Sequence, residues 1–599
     1  MTLTGLSASP LFASLADSVL RSLTPELSTV RLNGGDTLFA EGDPGVALYV
    51  VVFGRLRAVQ RDVAGSQRVL GEIGRGESVG EMALLTGEPR SATVTAIRDT
   101  ELVKLTKTAF EQLVEREPRV MLEMARLLIE RYQRMLQPSS ATRPVTLALV
   151  PCHADVPIAD VTQGLVAALS PGRDVLWLDA ARLRRERGLA TDAPLDLDDP
   201  ELAGWLHELE LQQEFLIYVG DPAPTPWTHL GVRQADVVLF VGASGAAGVM
   251  TVGLQDAFGV AGATSARREL VLLYDSAHRM PEGTPDWLAR MAVHDHHHVD
   301  PRRPAHYERL ARMLTGNAVG LVLGGGGARG LAHIGVVRAL EEAGVPIDLV
   351  GGTSAGAIVG GQLACGWDSA RILEESRRVL VNDGSLNDYT LPLVALLRGD
   401  RYIRMLDKLF LERRIEDLPV SFFCVSANLT RSVCMVHRSG LVRRRVAASS
   451  AVPGLGPPII DGRDMLVDGG VVNNLPIDIM RRFGRGPVVA SSVSPRADVA
   501  LDRDYGTYPS PWRLLLSRLN PFGEPLPVPG IASTIMRTVT LQQFTAGNRA
   551  RPGVDLVIEP SCVDYKLLDW SAIDRITETG YRAAVPMIAR WQAERAAKP

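Results

Sequence analysis

A serine flanked by glycines carries the clearest chemical signal in this sequence. Ser354 lies in Gly-Thr-Ser-Ala-Gly at 352–356, directly after the apolar segment 347–350, which is predicted to be a strand. A nucleophilic serine at a sharp strand-to-helix turn needs small neighbours, because the backbone there is strained and crowded. The N-terminus of the following helix then favours developing negative charge at the hydroxyl. The pattern predicts Ser354 as a nucleophile, with Gly352 and Gly356 as elbow glycines.

A glycine-rich turn at 324–330 supplies a second part of the same chemistry. It follows the predicted strand 320–323, and its backbone N–H groups are not covered by side chains, so they can receive the oxyanion of a tetrahedral intermediate. Dinucleotide-binding folds share such glycines but carry an acidic residue about 20 residues further on, at the end of the second strand. Here that strand ends in Gly-Gly-Thr-Ser, which favours serine chemistry. The candidate oxyanion-hole residues are Gly325, Gly326, Gly327, Ala328, Arg329 and Gly330.

Asp468 is the candidate for the base that a nucleophilic serine requires. An apolar segment delivers it into a glycine turn at Gly469 and Gly470, so its carboxylate can approach another backbone closely. The last histidine in the chain is His437, so a Ser–Asp–His triad in the usual hydrolase order cannot be drawn. The sequence therefore predicts a Ser354–Asp468 dyad in which the aspartate is the general base.

The motifs at 325–330, 352–356 and 468–470 resemble, in order and spacing, the three signatures of the patatin-like phospholipases. Their longer forms are similar to the neuropathy-target-esterase branch of that family. The resemblance covers residues 318–590 and implies a patatin-like α/β hydrolase domain there. It also implies a serine esterase that hydrolyses acyl esters of phospholipids or lysophospholipids, with no cofactor required for catalysis.

Length and composition limit the remaining possibilities. The chain has 599 residues, 46% hydrophobic and 22% charged, which indicates several globular domains. Its net charge of −4 and its five scattered cysteines favour neither a nucleic-acid partner nor a disulfide framework. We expect no signal peptide, and the sequence has no run of about 18 apolar residues. We therefore expect a cytoplasmic protein, peripheral on the inner face of the membrane if its substrate is a lipid.

The first part of the chain is predicted to form a small β-barrel with closing helices. Residues 11–34 predict a short helical lead-in, residues 36–105 alternate apolar runs with glycine turns, and residues 107–136 carry apolar residues at helical spacing. Within the barrel, a helical turn at 81–84 offers free N–H groups to an anion, and Arg90 can bind a phosphate through two hydrogen bonds.

This stretch resembles the phosphate-binding cassette of cyclic-nucleotide-binding domains, and that resemblance covers residues 11–136. It implies a cyclic nucleotide as allosteric ligand, cAMP or cGMP, with cAMP favoured. A linker at 137–144 and then a strand follow the barrel, where a DNA-binding relative would carry a recognition helix, so no nucleic-acid partner is expected. The implied contact residues are Gly80, Glu81, Met82, Ala83, Arg90 and Ser91.

Residues 145–315 predict a Rossmann-like parallel α/β domain, because apolar strands alternate with helical segments. The later strands look like those of a nucleotide-triphosphatase sheet. The first loop, at 150–157, has no glycine and no Gly-Lys-Ser/Thr sequence, so we expect a degenerate, nucleotidase-like domain. The histidine-rich stretch 294–300 is not expected to bind a metal, because consecutive side chains point in alternate directions.

Four residues of the hydrolase region carry weaker signals. Arg329 is expected to stabilise the glycine loop, with contact to a phosphate head group as the alternative. His333 is expected to be a packed helix residue, with a catalytic role as the alternative. Ser449 and Ser450 lie in a stretch that resembles the family's acyl-pocket wall, and they lack elbow glycines, so they are not expected to be nucleophiles.

Two apolar stretches can touch a membrane. The first, at 389–398, is Tyr-Thr-Leu-Pro-Leu-Val-Ala-Leu-Leu-Arg, and we favour core packing for it. The second, at 509–522, combines a tryptophan and leucines with arginines, and we favour a surface anchor or lid.

The sequence thus predicts three domains: 11–136, cyclic-nucleotide-binding; 145–315, Rossmann-like; and 318–590, patatin-like. The expected partners are a lipid or lysophospholipid substrate, a membrane surface and a cyclic nucleotide. The predicted function is lipid ester hydrolysis regulated by the nucleotide. The alternative is a non-enzymatic cyclic-nucleotide sensor or scaffold with a silent hydrolase fold.

Overall fold

The protein divides into two compact units, Met1–Leu314 and Thr315–Pro599. The computed structural model describes residues 23–61, 67–136, 146–190, 200–223, 225–245, 252–264, 266–277, 279–383, 388–391, 393–493 and 554–597, together with positions 12, 19, 510, 512, 514, 516 and 517. Separate hydrophobic cores lie in each unit.

The first unit opens with a barrel made of two antiparallel four-stranded sheets, with strand orders β1-β8-β3-β6 and β2-β7-β4-β5. Two helices close the barrel, which confirms the predicted cyclic-nucleotide-binding type of fold. The strands are β1 (Leu27–Leu32), β2 (Thr37–Phe39), β3 (Ala47–Phe53), β4 (Leu56–Arg61), β5 (Gln67–Ile73), β6 (Ser78–Val79), β7 (Thr93–Ala96) and β8 (Thr100–Thr106). The helices are α1 (Glu81–Thr86), inside the cassette, α2 (Lys107–Arg116) and α3 (Arg119–Leu136).

The structure corrects the second half of the predicted helical lead-in over 11–34, because residues 27–32 form a strand. Val19 and Leu23 are helical, a 3-10 turn follows at Thr24–Glu26, and then β1 pairs with β8 from Leu27 opposite Leu105 to Leu32 opposite Thr100. Hydrogen bonding to a distant strand outweighed the local helical pattern. Most of residues 11–22 lie outside the described residues.

The rest of the first unit is built on a wholly parallel sheet of order β10-β11-β9-β12-β13-β14. Its central strands are almost continuously buried, because helices cover both faces of such a sheet. This confirms the predicted Rossmann-like architecture. The strands are β9 (Thr146–Pro151), β10 (Val175–Leu178), β11 (Phe215–Val219), β12 (Val237–Ala243), β13 (Arg267–Leu273) and β14 (Asp295–Val299). The helices are α4 (Ile158–Leu169), α5 (Ala180–Glu186), α6 (Pro200–Gln212), α7 (Pro226–Gln234), α8 (Val252–Ala263), α9 (Thr284–Arg290) and α10 (Pro304–Thr315).

Within the first unit, the barrel contacts the parallel α/β domain through charged side chains in the turn before β8. Arg98 pairs with Glu210 of α6 at 3.0 Å, and both side chains are nearly buried. The neighbouring Asp99 accepts hydrogen bonds from Arg233 and Gln234, at 3.3 Å and 3.2 Å. Removing one partner of a buried ion pair leaves an uncompensated charge, so these contacts hold the two domains in one register.

The second unit is built on an eight-stranded sheet of order β19-β20-β17-β16-β15-β21-β22, with β18 paired to β17. Five neighbouring strands of this sheet, β17, β16, β15, β21 and β22, are parallel. Strands β18 and β20 run antiparallel to β17. The strands are β15 (Gly320–Leu323), β16 (Leu349–Gly352), β17 (Ser421–Asn428), β18 (Val433–His437), β19 (Ile459–Asp461), β20 (Asp464–Asp468), β21 (Val488–Ser491) and β22 (Leu556–Ile558). The helices are α11 (Ala332–Glu342), α12 (Ala355–Ala364), α13 (Ser369–Arg377), α14 (Asp400–Phe410), α15 (Val442–Ser449), α16 (Ile477–Arg482) and α17 (Ile573–Ala596).

Helices α11 and α17 approach so closely that only glycine fits at their contact. A Cβ atom on Gly580 would lie 1.9 Å from the carbonyl oxygen of Ala332, and one on Gly335 would lie 1.9 Å from that of Thr577. The long C-terminal helix is thereby held against the helix that follows the glycine turn.

We expect Gly580→Ala to lower the free energy of unfolding of the second unit by about 1–3 kcal/mol, because α17 must move away from α11 to admit the methyl group. Thermal unfolding followed by circular dichroism measures the change. Gly259→Ala on α8 is the matched control, since a Cβ there meets no atom within 4 Å. The control should leave the free energy of unfolding unchanged or raise it slightly. An unchanged midpoint for Gly580→Ala would contradict the close helix contact.

Candidate active site

Ser354 occupies a strained turn between β16 and α12. Its backbone angles, φ 54° and ψ −122°, are ones that residues other than glycine rarely adopt. Backbone crowds the turn on both sides: a Cβ atom on Gly356 would lie 2.1 Å from the carbonyl oxygen of Leu323, and one on Gly352 would lie 2.5 Å from that of Gly356. The surrounding chain therefore holds the serine in this conformation, as a nucleophile elbow requires.

Strand register brings Asp468 to the level of Ser354 in the sheet. Gly352 lies opposite Cys424 in the parallel pair β16–β17, and Ser426 lies opposite Asp468 in the antiparallel pair β17–β20. Ser354 lies two residues after Gly352, and Ser426 lies two residues after Cys424, so Ser354 and Asp468 are at the same level. The aspartate thus arrives from a distant part of the chain, through an antiparallel strand, at the edge where the serine turn lies.

The carboxylate of Asp468 is buried and partly hydrogen-bonded. Its Oδ1 accepts a hydrogen bond from the N–H of Gly470 at 2.7 Å, while Oδ2 has no partner of ordinary geometry among the described residues. Burial raises the pKa of Asp468 to about 6, although hydrogen bonding from Ser354 and from the Gly470 N–H opposes the rise. A carboxylate with an open oxygen, a pKa near neutrality and a neighbouring serine can accept a proton.

The glycine turn after β15 lies against the serine. A Cβ atom on Gly325 would be 3.0 Å from the Cβ of Ser354. Among the six predicted oxyanion-hole residues, the N–H of Gly325 donates to Asn474 Oδ1 at 3.1 Å and that of Ala328 donates to the Leu567 carbonyl at 2.8 Å. These bonds narrow the choice of oxyanion donors among the six predicted residues.

The N–H groups of Gly326 and Gly327 lie at the start of a helical turn. They lead into a 3-10 turn, Gly327–Leu331, and the first N–H groups of a helical turn have no partner within it. Gly330 lets the turn approach the elbow, since a Cβ there would lie 2.4 Å from that of Ala355.

Asn474 is a positioning residue that the sequence motifs did not single out. Its buried side chain accepts from the N–H of Gly325 and donates to the carbonyl of the same glycine, at 3.1 Å and 3.2 Å. The carbonyl of the preceding Asn473 accepts from the hydroxyl of Thr353 at 3.0 Å. This segment therefore ties the base loop to both the glycine turn and the elbow. The only signal in the sequence was its place in the longer Asp-Gly-Gly motif.

Ser449 is a second positioning residue. Its buried hydroxyl accepts a hydrogen bond from the backbone N–H of Ser354 at 3.0 Å, and the adjacent Ser450 accepts one from Tyr402 at 2.6 Å. No local sequence signal marks Ser449 for this role, because its partner lies far away in the chain.

Arg329 and His333 make structural contacts. The Nε of Arg329 donates to the carbonyl of Tyr565 at 2.8 Å, which links the glycine turn to the segment before α17. The imidazole of His333 is buried between the Gly324 carbonyl, at 2.8 Å, and the Ser491 hydroxyl, at 2.9 Å. Burial lowers the pKa of His333 to about 4, so the ring is neutral at physiological pH.

In the barrel, the cassette residues divide between inside and outside. Arg90 is buried: its Nη1 and Nη2 donate to the carbonyls of Gly80 and Ala47, at 2.8 Å and 2.7 Å, and its guanidinium stacks on Phe39. Burial lowers the pKa of Arg90. The buried carboxylate of Glu81 lies close enough to oppose this effect. Ala83 is also buried, whereas Met82 and Ser91 are exposed.

The histidine side chains of strand β14 contact different partners. His297 contacts Glu269 at 2.8 Å, and His298 contacts Thr284 at 3.0 Å. Among the residues that the structure describes, no group of three or more His, Cys, Asp or Glu side chains can hold a metal ion.

The first apolar stretch corrects the prediction of core packing. Tyr389, Leu391, Leu393 and Val394 are exposed, because the chain forms a projecting hairpin there. Most of the second stretch, 509–522, lies outside the described residues, although Trp512 and Leu516 are exposed. Within the described part of the chain, no helix is both long and apolar enough to cross a membrane.

Three family models match consecutive parts of the chain. A patatin-like phospholipase model matches residues 321–481, which include Ser354 and Asp468. A model of the neuropathy target esterase family P-loop like domain matches residues 144–315, and a cyclic nucleotide-binding domain model matches residues 29–117.

Named relatives match nearly the whole chain. Lysophospholipase NTE1 of Mycosarcoma maydis is 32% identical over 97% of the chain, and patatin-like phospholipase domain-containing protein 6 of Homo sapiens is 32% identical over 98%. Patatin-like phospholipase domain-containing protein 7 of Mus musculus is 32% identical over 96%. The chain spans 35%, 46% and 46% of the length of these three relatives. By its three matched domains and these identities, the chain is similar to the neuropathy-target-esterase type of patatin-like phospholipases, with an N-terminal cyclic nucleotide-binding domain.

Proposed function

We propose that the chain is a serine hydrolase that cleaves acyl esters of phospholipids or lysophospholipids through a Ser354–Asp468 dyad. The observation that carries this proposal is the strained, buried serine beside a buried aspartate whose pKa is raised to about 6. The match to the patatin-like phospholipase model over both residues supports it. So does the name lysophospholipase carried by a relative.

The proposed reaction has two halves. Asp468 takes the proton of the Ser354 hydroxyl as its oxygen attacks the ester carbonyl, and the N–H groups of Gly326 and Gly327 stabilise the oxyanion. The alcohol part of the lipid leaves with the proton. In the second half, Asp468 takes a proton from water as the water oxygen attacks the acyl-enzyme carbonyl. Asp468 then gives this proton to the departing Ser354 oxygen, which releases the fatty acid and restores both the serine and the carboxylate. The proposed chemistry uses no cofactor.

The buried hydrogen bonds around the site suit this reaction, because they place donors before the reaction begins. Asn474 holds the glycine turn by both backbone groups of Gly325, and Ser449 holds the backbone of the nucleophile. Donors that are already oriented need no reorganisation when negative charge develops, which is the main source of electrostatic catalysis.

Replacing the nucleophile tests the reaction class. We expect Ser354→Ala to lower hydrolysis of lysophosphatidylcholine and of p-nitrophenyl butyrate by at least about 10³-fold, because an acyl-enzyme can no longer form. Ser439→Ala, at an exposed serine of the same unit, is the matched control and should keep full activity. A fluorophosphonate probe should label the wild type and the control but not Ser354→Ala. An unlabelled, inactive wild type would favour the alternative of a silent hydrolase fold.

The pH profile tests the base. Asp468 must be unprotonated to act, and its pKa is raised to about 6, so kcat/KM should be level above that pH. Below it, kcat/KM should fall about tenfold for each pH unit. The acid limb should disappear in Asp468→Asn along with most of the activity. An acid limb centred near the ordinary aspartate value would mean that burial does not set this pKa.

We also propose that the barrel binds a cyclic nucleotide, with cAMP favoured over cGMP, and that the bound nucleotide regulates hydrolysis. The match to a cyclic nucleotide-binding domain and the Gly80–Arg90 cassette geometry support binding. The ion pair between Arg98 and Glu210 supports a first step of coupling, because it joins the barrel to the neighbouring α/β domain. Regulation requires a measurable coupling free energy between the two sites.

We expect Arg90→Ala to weaken cAMP binding by more than about tenfold, because it removes a charge-assisted contact to the phosphate. Isothermal titration calorimetry measures the affinity. Arg75→Ala, at an exposed arginine of the same barrel, removes an equal charge and should bind as the wild type does. Saturating cAMP and cGMP should then be tested on ester hydrolysis. Unchanged rates with both nucleotides would overturn the regulatory proposal.

A further inference from the structure

Four large apolar side chains crowd into one projecting hairpin of the second unit. Tyr389 is 68% exposed, Leu391 78%, Leu393 87% and Val394 70%. Single exposed apolar residues are ordinary on protein surfaces, but a local cluster marks a surface that binds something. We call these four residues the apolar tip.

The apolar tip stands on a neck that is held by hydrogen bonds. Tyr389 pairs with Leu397 in an antiparallel bridge, and the N–H of Thr390 donates to the Leu396 carbonyl at 3.1 Å. At the base, the carboxylate of Asp388 accepts from the N–H of Gly399 and of Arg401, at 3.2 Å and 3.0 Å. Hydrogen bonds therefore join the two chain segments on either side of the exposed side chains.

The neck is attached to the wall of the catalytic site. The N–H groups of Leu396 and Leu397 donate to the carbonyls of Gly454 and Leu455, at 3.0 Å and 2.9 Å. Three residues before Gly454, the carbonyl of Ala451 accepts the N–H of Asp468 at 2.9 Å.

A second link runs through the helix after the neck. Tyr402, on the first turn of α14, donates to Ser450 at 2.6 Å. The adjacent Ser449 holds the backbone of Ser354 at 3.0 Å. The tip is thus joined to both members of the proposed dyad through short chains of hydrogen bonds.

We propose that the apolar tip is the surface by which this domain docks on a lipid–water interface, so that ester substrate enters from the lipid phase. A projecting knob of leucine, valine and tyrosine suits insertion among acyl chains, with the tyrosine at head-group level. Two exposed arginines of α14, Arg401 and Arg404, follow the neck beside the Arg398–Asp400 ion pair and complement anionic head groups. The inference rests on the proposed lipid hydrolysis and names the surface that serves it.

Vesicle flotation with the full chain tests the proposal. The probes are phosphatidylcholine vesicles with and without phosphatidylserine. We expect the double variant Leu391→Ser, Leu393→Ser to lower vesicle affinity by at least about tenfold, because two side chains lose apolar burial in lipid. Hydrolysis of soluble p-nitrophenyl butyrate should stay unchanged. Leu189→Ser, at one of the exposed leucines of the first unit, is the control and should bind vesicles as the wild type does.

The outcomes separate this inference from the proposed function. A wild type that hydrolyses the soluble ester but does not float with vesicles, or a double variant that floats equally well, would overturn the docking surface alone. Absence of soluble-ester hydrolysis in every variant would overturn the proposed function, whatever the vesicles show. Sedimentation velocity tests the other possible occupant of the tip, a second copy of the chain. If the wild type is a dimer, the double variant is a monomer and vesicle binding is unchanged, the tip binds a second copy and the docking proposal is wrong.

Discussion

The close approach of the helix after Ser354 to the end of strand β15 is the constraint on which the second unit depends. A Cβ atom on Gly356 would lie only 2.1 Å from the Leu323 carbonyl oxygen, so the first turn of α12 rests directly on the central strand. This contact forces the serine into its positive φ and sets the glycine turn beside it. Strain of this kind persists only where the surrounding structure over-determines the conformation.

Burial gives the site its electrostatic character. Asp468 is enclosed by β17 and the elbow, and desolvation raises its pKa to about 6, while a single short bond from Gly470 N–H and the nearby serine limit the rise. Burial also lowers the pKa of His333, beside the glycine turn, to about 4 and keeps its ring neutral. One physical effect therefore prepares the carboxylate to accept a proton and removes the imidazole from acid–base chemistry.

The two units use charge and apolar surface in different ways. In the first unit, the nearly buried ion pair Arg98–Glu210 joins the barrel to the parallel α/β domain. Removing either partner would leave a buried charge without its counterion. In the second unit, the apolar tip stands on a neck that is held by hydrogen bonds. The first arrangement favours a fixed geometry between domains, and the second favours contact with a surface outside the protein.

The sequence by itself determined the local features. The elbow glycines, the glycine turn, the alternation of apolar strands and helices at 145–315 and the closing helices at 107–136 depend on residues adjacent in the chain, so their patterns are visible without a structure. Only the tertiary structure decided what depends on distant segments. Strand register levels Asp468 with Ser354, while Asn474 and Ser449 become positioning residues through partners far away in sequence. Pairing with β8 turned residues 27–32 from predicted helix into strand. The stretch 389–398 illustrates the limit. Its apolar composition fits a buried core segment and an exposed hairpin equally, and only the folded structure shows that four of its side chains are exposed.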